Sequence, residues 1–347
     1  CRDGIIRLFS IADETEVNAL QGHAGRVWDV VFGSGDSVVS AGGDGTVRVW
    51  DTSRGPALNG VEFVSIKSGG LDHVEVLADG QHDDKRLLVS GRLQSPMKLV
   101  RGCDDASWRM NVFEIPIDED APVRSVTADP AGVNFAVSFW RRPFVVANTE
   151  PEGRRNVFEL PAPTPAVGIA AWTPQGRLVT VTSREAVTLW SPDLRTGSVI
   201  EKIAWYVVTA VAAPAGPCRV ALAGHQLAII PVPVEPGFGH ALGNARSSTN
   251  RSLHIPVADS VNCVAWSPDA QRLVCGSRNG EVTIYDTVTG DRIGELVPHA
   301  REVVAVAWSP DGQVLLTADE AGMRLSDART LAVFDEVQPG WQIADIA

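Results

Sequence analysis

A repeat of about 43 residues constrains the fold of this chain more than any other feature. The hexapeptide VAWSPD occurs at 264–269 and again at 306–311, with looser copies at 170–176 and 126–132. In each copy this apolar run is followed by three more, with Gly, Pro, Asp and Ser between them. Short β-rich runs separated by such turns are typical of antiparallel strands. The sequence therefore predicts an all-β chain built from four-stranded antiparallel units.

The repeat predicts seven complete units and two partial ones. The predicted bounds of the complete units are 23–64, 66–118, 121–163, 165–204, 206–256, 260–297 and 299–335. Residues 3–20 have the pattern of the third and fourth strands of a further unit, and residues 341–347 have the pattern of a first strand.

The segment from Gly22-His23 to VVSAGGDGTVRVWD at 38–51 resembles the WD-repeat β-propeller family. The resemblance extends over essentially the whole chain and implies one closed β-propeller domain, residues 1–347, of four-stranded antiparallel blades. Closure removes the exposed sheet edges that would otherwise pair with other chains. With the closing blade shared by the two chain ends, we expect eight blades. The alternative is a seven-bladed ring spanning about 23–335.

The resemblance also implies a structural tetrad in one unit: His23 before the first strand, Ser40 in the second, Asp44 in the turn and Trp50 in the third. In this family these residues form a hydrogen-bonded chain that stabilises the blade, so we do not interpret them as a catalytic triad. Other units depart from the tetrad, and we expect them to depend on apolar packing instead. The departures are Arg184, Asn279 and Ala321 for the turn Asp, Tyr285 and Ser326 for the Trp, and Cys275 for the hydroxyl.

Composition excludes several classes of protein. Thirty Lys and Arg against 42 Asp and Glu leave a net charge of −12, which argues against nucleic-acid binding. No apolar stretch approaches the roughly 18 to 20 residues needed to cross a bilayer, and no signal pattern opens the chain. The five cysteines have no CxxC spacing and favour a reducing compartment. We therefore expect a cytoplasmic protein without membrane or nucleic-acid partners, and the scarcity of Lys favours a bacterial source.

Motifs for chemistry are weak. The seven histidines lie in different units without metal-ligand spacing, and no phosphate-binding glycine loop is present, so no metal or cofactor is predicted. Acidic groups at 83–84, 104–105 and 118–120 are interpreted as solvated turns. The alternative is a propeller hydrolase that uses carboxylates at the mouth of the channel.

Topology places the second-to-third turns on one face, together with the loops between successive units. Five of the eight expected units carry an arginine in these turns: Arg2, Arg92, Arg141 with Arg142, Arg184 and Arg278. Trp140 precedes Arg141, and Trp and Arg are enriched at interface hot spots. The first-to-second turns, on the opposite face, collect aspartates such as Asp269 and Asp311. We predict that the arginine-bearing face binds partners.

Family resemblance favours a non-catalytic scaffold or sensor module of a larger signalling protein. The partner is expected to be a protein or peptide, acidic or phosphorylated, because guanidinium groups bind carboxylate and phosphate bidentately. The chain opens inside a unit without an initiator Met, so we expect a fragment of a longer multidomain protein. In similar bacterial propellers, effector domains of the same polypeptide accompany the ring.

Overall fold

The fold is described from a computed structural model of the chain. The structure describes residues 3–10, 15–32, 37–52, 61–65, 71–77, 85–91, 97–102, 111–115, 123–131, 134–139, 142–148, 158–160, 168–182, 186–205, 207–214, 218–233 and 251–337.

The first half of the chain forms strands β1 to β14. Their bounds are β1 Ile5–Ser10, β2 Thr15–Gln21, β3 Val27–Phe32, β4 Ser37–Gly42, β5 Thr46–Asp51, β6 Val61–Ser65, β7 Leu71–Leu77, β8 Lys85–Gly91, β9 Met97–Gly102, β10 Asn111–Ile115, β11 Val123–Ala128, β12 Asn134–Phe139, β13 Arg142–Asn148 and β14 Phe158–Glu159.

The second half forms strands β15 to β30. Their bounds are β15 Gly168–Trp172, β16 Leu178–Thr182, β17 Ala186–Trp190, β18 Gly197–Lys202, β19 Val207–Ala212, β20 Arg219–Gly224, β21 Leu227–Pro231, β22 Leu253–Ile255, β23 Val261–Trp266, β24 Arg272–Ser277, β25 Val282–Asp286, β26 Arg292–Leu296, β27 Val303–Trp308, β28 Val314–Asp319, β29 Met323–Asp327 and β30 Val333–Val337.

These strands form seven four-stranded sheets and one hairpin. Each four-stranded sheet takes consecutive strands in order, from β3–β6 through β27–β30, and neighbouring strands are antiparallel wherever their register is defined. The seven predicted four-stranded units are therefore confirmed, and the described residues contain no α-helix. Accordingly, no helix in the described ranges could span a membrane.

Strands β1 and β2 form the two-stranded hairpin, as the pattern at residues 3–20 predicts. Two turn glycines identify the position of β1 within a four-stranded unit. Gly4 precedes β1 with φ +77°, and a Cβ there would clash with the carbonyl oxygen of His23. Gly280 precedes β25, a third strand, with φ +91°, and a Cβ there would clash with the carbonyl oxygen of His299. The equivalence places β1 at the position of a third strand.

The chain divides into two compact units, one holding β1 to β12 and the other β15 to β30. Within the second, the first strands of successive sheets lie side by side: β15 by β19, β19 by β23 and β23 by β27. In this unit the second strands are more buried than the fourth strands. Every residue of β20, a second strand, is buried, whereas β18, a fourth strand, has only exposed and half-buried residues.

Ring closure, the choice between eight and seven blades and the single domain over 1–347 stay predictions. Residues 341–347, which are predicted to contribute to the closing blade, lie outside the described residues.

Candidate partner-binding surface

The four tetrad side chains form one hydrogen-bonded chain in the β3–β6 sheet. His23 Nδ1 lies 3.0 Å from both carboxylate oxygens of Asp44, and His23 Nε2 lies 2.8 Å from Ser40 Oγ. The Trp50 indole donates to Ser40 Oγ over 2.8 Å. Because a carboxylate only accepts hydrogen bonds, the proton of the neutral imidazole sits on Nδ1, and the Ser40 hydroxyl donates to Nε2.

The tetrad holds its two ionisable groups in defined states. Burial lowers the pKa of His23 below its usual 6.5, and the nearby Asp44 carboxylate only partly opposes this. Burial also acts on Asp44, but hydrogen bonds from the Thr46 hydroxyl, the Ala24 N–H and His23 hold the pKa of that carboxyl below its usual 3.8. At neutral pH the pair is therefore a neutral imidazole beside a carboxylate.

The β27–β30 sheet keeps part of this network with the acid moved. His299 Nε2 lies 2.8 Å from Thr317 Oγ1, as His23 does from Ser40. With Ala321 in the turn, the carboxylate comes from Asp319 at the end of β28, 3.7 Å from His299 Nδ1. Asp319 also accepts the backbone N–H groups of the turn. The expectation that this unit depends on apolar packing alone is wrong, because a residue two positions earlier replaces the turn acid.

Two other sheets retain fewer of the tetrad hydrogen bonds. In the β15–β18 sheet the Trp190 indole donates to Thr180 Oγ1 over 2.8 Å, which reproduces the Trp50–Ser40 bond. Arg184, its turn residue, lies outside the described residues. In the β23–β26 sheet Cys275 and Tyr285 occupy the hydroxyl and Trp positions, and both pack in an apolar cluster with Leu227 and Ile229. At these two positions apolar contacts stand where the β3–β6 sheet has hydrogen bonds.

Arginines at the start of second strands join neighbouring sheets. Arg219 of β20 donates to the carbonyl oxygens of Thr287 and Ala270 in the next sheet, over 2.7 and 2.9 Å. Arg272 of β24 donates to the carbonyl oxygen of Ala328 over 2.8 Å, again in the next sheet. Each guanidinium also stacks on the Trp that ends the next sheet's first strand, Trp266 for Arg219 and Trp308 for Arg272.

These arginine contacts were not predicted from the sequence, although a recurring pattern marks the positions of the arginines. An Arg followed by an apolar residue recurs where the second apolar run begins, at 177, 219 and 272. Recognising the contact would have required knowing which carbonyl oxygens of the next sheet are buried beside it.

The structure describes little of the predicted arginine face. Five residues of the predicted set lie outside the described residues: Arg2, Arg92, Trp140, Arg141 and Arg184. Arg142 is described only as the first residue of β13. Arg278 lies in the turn between β24 and β25. Its side chain is exposed and has no hydrogen-bond or ion-pair partner among the described residues.

Acids and bases are mixed on this face in the part of the chain that is described. Asp259, Glu281, Glu302 and Glu320 lie in the same class of turns and loops as Arg278, and Arg301 lies 3.7 Å from Glu320. On the opposite face the predicted acids serve the turns themselves. Asp269 accepts from the Ser267 hydroxyl and the Gln271 N–H, and Asp311 makes the equivalent pair of bonds with Ser309 and Gln313.

Among the described residues, the cysteines and histidines form no site for metal or disulfide chemistry. Cys263 and Cys275 are free thiols on adjacent strands, but Cys263 packs towards the β27–β30 sheet and Cys275 towards the β19–β22 sheet. Thiols on opposite faces of a sheet cannot form a disulfide without backbone movement. Burial raises the pKa of Cys263 to about 12 and that of Cys275 well above its usual value. No group of three potential metal ligands occurs among the described residues.

Comparison with known proteins gives one family and one fold. Residues 14–51, 250–286 and 290–333 match the family model described as WD domain, G-beta repeat. No curated protein matches the chain. The crystal structure of the computationally designed Ika8 protein is similar, with a TM-score of 0.65 and 13% sequence identity over 93% of this chain and 90% of that chain. At this identity the likeness concerns the fold alone.

Proposed function

Because this chain belongs to the WD-repeat family, we propose that it is a non-catalytic protein interaction module whose partners bind the face of the second-to-third turns. WD40 repeats generally mediate protein–protein interaction. In this proposal the arginines of this face recognise acidic or phosphorylated segments, and the module is the scaffold or sensor of a larger cytoplasmic signalling protein.

The observation that carries the proposal is the contrast between Arg278 and the opposite-face acids. The Arg278 guanidinium is exposed and unpaired among the described residues, so it is available to a ligand. Asp269 and Asp311 are committed to hydrogen bonds inside their own turns. A guanidinium can hold carboxylate or phosphate through two parallel hydrogen bonds. At physiological salt, charges separated by more than about 8 Å are largely screened, so local arginines outweigh the net charge.

Burial argues against a hydrolytic use of the tetrad. Ser40 is completely buried, and its hydroxyl is held between the His23 imidazole and the Trp50 indole. A substrate carbonyl has no access to such an oxygen. The carboxylates at 83–84, 104–105 and 118–120, on which the hydrolase alternative depends, lie outside the described residues.

The experiment is binding of a phosphoserine-containing acidic peptide library to the immobilised protein. We expect capture by the wild type, weakening as salt rises, and loss of capture in the double variant Arg141→Glu, Arg142→Glu. Arg278→Glu tests the described member of the set. Arg329→Glu is the matched control, because Arg329 is exposed in a third-to-fourth turn on the opposite face.

Two results would contradict the proposal. Capture that survives both reversals with unchanged melting would place the binding surface elsewhere. Equal loss with Arg329→Glu would show a general charge effect and no arginine face.

A further inference from the structure

The β23–β26 sheet contains a cavity of about 370 Å³ between its third strand and the segment that leads into its first strand. One wall is formed by Glu281, Thr283 and Tyr285 along β25 and the turn before it. The other wall is formed by residues 255–259. Cys275 of β24 also lines the cavity.

The β3–β6 and β27–β30 sheets show which residues lie at the equivalent position. Counting back from the first strand, His23 lies four residues before Val27 and His299 four residues before Val303. The equivalent position before Val261 is Val257, and the residue preceding it is Pro256, as Pro298 precedes His299. Both Pro256 and Val257 line the cavity.

In the β27–β30 sheet an arginine of the third strand occupies this place. Arg324 donates to the carbonyl oxygens of Pro298 and Val297, over 2.8 and 3.2 Å. It also donates to Glu336 on the neighbouring fourth strand, over 3.3 Å.

The β3–β6 sheet has the same arrangement with Arg48. A Cβ on Gly22, the residue before His23, would meet the Arg48 guanidinium, so that guanidinium lies against the linker. Its central carbon is 6.0 Å from the centroid of the Trp50 ring. An arginine on the third strand thus lies over the linker in both sheets.

In the β23–β26 sheet a threonine, Thr283, stands at the position of this arginine. Thr283 pairs with Glu295, as Arg324 pairs with Glu336 and Arg48 with Glu62. A threonine is too short to reach the linker, and the cavity is the space that remains. Tyr285 stands at the Trp50 position and lines the cavity.

The charged groups around the cavity favour a cation. Asp259, Glu281 and Asp291 line it, and Arg292 is its one cationic lining residue. Arg292 forms an ion pair with Glu295, so its charge is compensated on the strand. Three carboxylates therefore face a ligand, and of these Asp259 also accepts the N–H of Ser260.

We propose that this cavity binds the guanidinium of an arginine side chain from a partner polypeptide, in the place where the two equivalent sheets hold an arginine of their own. The planar fork of a guanidinium can donate to the adjacent carbonyl oxygens of Ile255 and Pro256, as Arg324 does to Val297 and Pro298. Its face can stack on Tyr285, and Glu281 and Asp259 neutralise its charge. The cavity opens beside the face of Arg278, since Asp259 and Glu281 belong to both, but none of the predicted partner-binding arginines lines it. The inference does not depend on the function proposed above, because its ligand has the opposite charge.

The test uses the peptide Ac-Gly-Arg-Gly-NH2 as a probe, with the citrulline peptide as its neutral isostere, in NMR titrations of the full chain. We expect saturable binding of the arginine peptide and about tenfold weaker binding of the citrulline peptide, because the charge-assisted bonds are lost. Absence of saturable arginine binding, or equal affinities for the two peptides, would overturn the proposal.

The decisive variant is Thr283→Arg, which restores the arginine of the equivalent sheets and should fill the cavity. We expect it to weaken arginine-peptide binding by about tenfold or more. Gln271→Arg adds the same charge in an exposed turn on the opposite face and should leave binding unchanged. If Thr283→Arg does not fold, Glu281→Gln is the test, and severalfold weaker binding of the arginine peptide would support the site. Unchanged binding of the arginine peptide to a folded Thr283→Arg protein, or to Glu281→Gln, would overturn the proposal.

Discussion

The guanidinium of Arg272 in β24 lies 4.6 Å from the ring centroid of Trp308 in β27, the first strand of the next sheet. The same group donates to a carbonyl oxygen beyond β29 of that sheet. Arg219 makes the equivalent contacts one sheet earlier. A single side chain thus satisfies buried backbone acceptors and packs on an aromatic ring across the boundary between two sheets.

Replacing Arg272 with Ala should lower the free energy of unfolding by about 2–3 kcal/mol, because a charge-assisted hydrogen bond and a stacked contact are both lost. Arg272→Lys should cost less, since an ammonium keeps the charge but lacks the planar fork. Urea unfolding measures both. Arg292→Ala is the control: that side chain is about half exposed, and exposed ion pairs contribute little. Equal stability of Arg272→Ala and wild type would mean that apolar packing alone joins these sheets.

The tetrad predicts unequal costs for two tryptophans. Trp50→Ala should lower stability by about 3–5 kcal/mol, as expected for truncation of a buried aromatic residue. Trp190→Ala should cost less, because in the tetrad of its sheet Arg184 replaces the turn Asp. Urea melts of the two variants provide the comparison. Indistinguishable losses would show that the tetrad adds nothing to packing.

Stability should fall as the pH drops from about 7.5 to about 5, because two buried histidines resist protonation. Burial lowers the folded-state pKa of His23 and of His299 below the usual 6.5. Between the folded and unfolded pKa values the unfolded chain binds more protons, so this contribution is complete above about pH 6.5 and declines below it.

Urea melts at the two pH values measure this effect. The double variant His23→Gln, His299→Gln should have a smaller pH dependence than the wild type, whereas His254→Gln, on an exposed residue, should retain it. An unchanged pH dependence in the double variant would assign the loss to other groups.

Ser326→Ala should raise stability by up to about 1 kcal/mol. Ser326 replaces the tetrad Trp in β29, and its hydroxyl is buried without a hydrogen-bond partner among the described residues. An unsatisfied buried polar group opposes folding, so removing it is favourable. Thr317→Ala, which breaks the bond to His299, is the contrasting variant and should be destabilising. A loss of stability in Ser326→Ala would reveal a partner for this hydroxyl.

Deleting residues 341–347 tests the predicted count of eight blades. If these residues complete the sheet of β1 and β2, their removal should expose a strand edge and cause self-association. Size-exclusion chromatography and thermal melting detect both effects. A monomeric protein with unchanged melting would favour the seven-bladed alternative.

Local patterns were sufficient to predict the seven four-stranded units. Alternating apolar runs and the Gly, Pro and Asp turns between them are short-range signals, because each strand of a meander pairs with its neighbour in sequence. The tetrad residues His23, Ser40, Asp44 and Trp50 could be named from the sequence for a related reason: the resemblance supplied them, and all four lie within one repeat.

Interactions between repeats were decided by the tertiary structure. A buried acceptor or carboxylate can be satisfied from any position that reaches it, so neither the role of Asp319 in place of Ala321 nor the reach of Arg219 and Arg272 into the next sheet follows from spacing within one unit. The cavity beside Thr283 also depends on the tertiary structure. The sequence alone determines that an arginine is missing there, whereas the space it leaves, and the carboxylates that surround that space, depend on how the linker packs against the sheet.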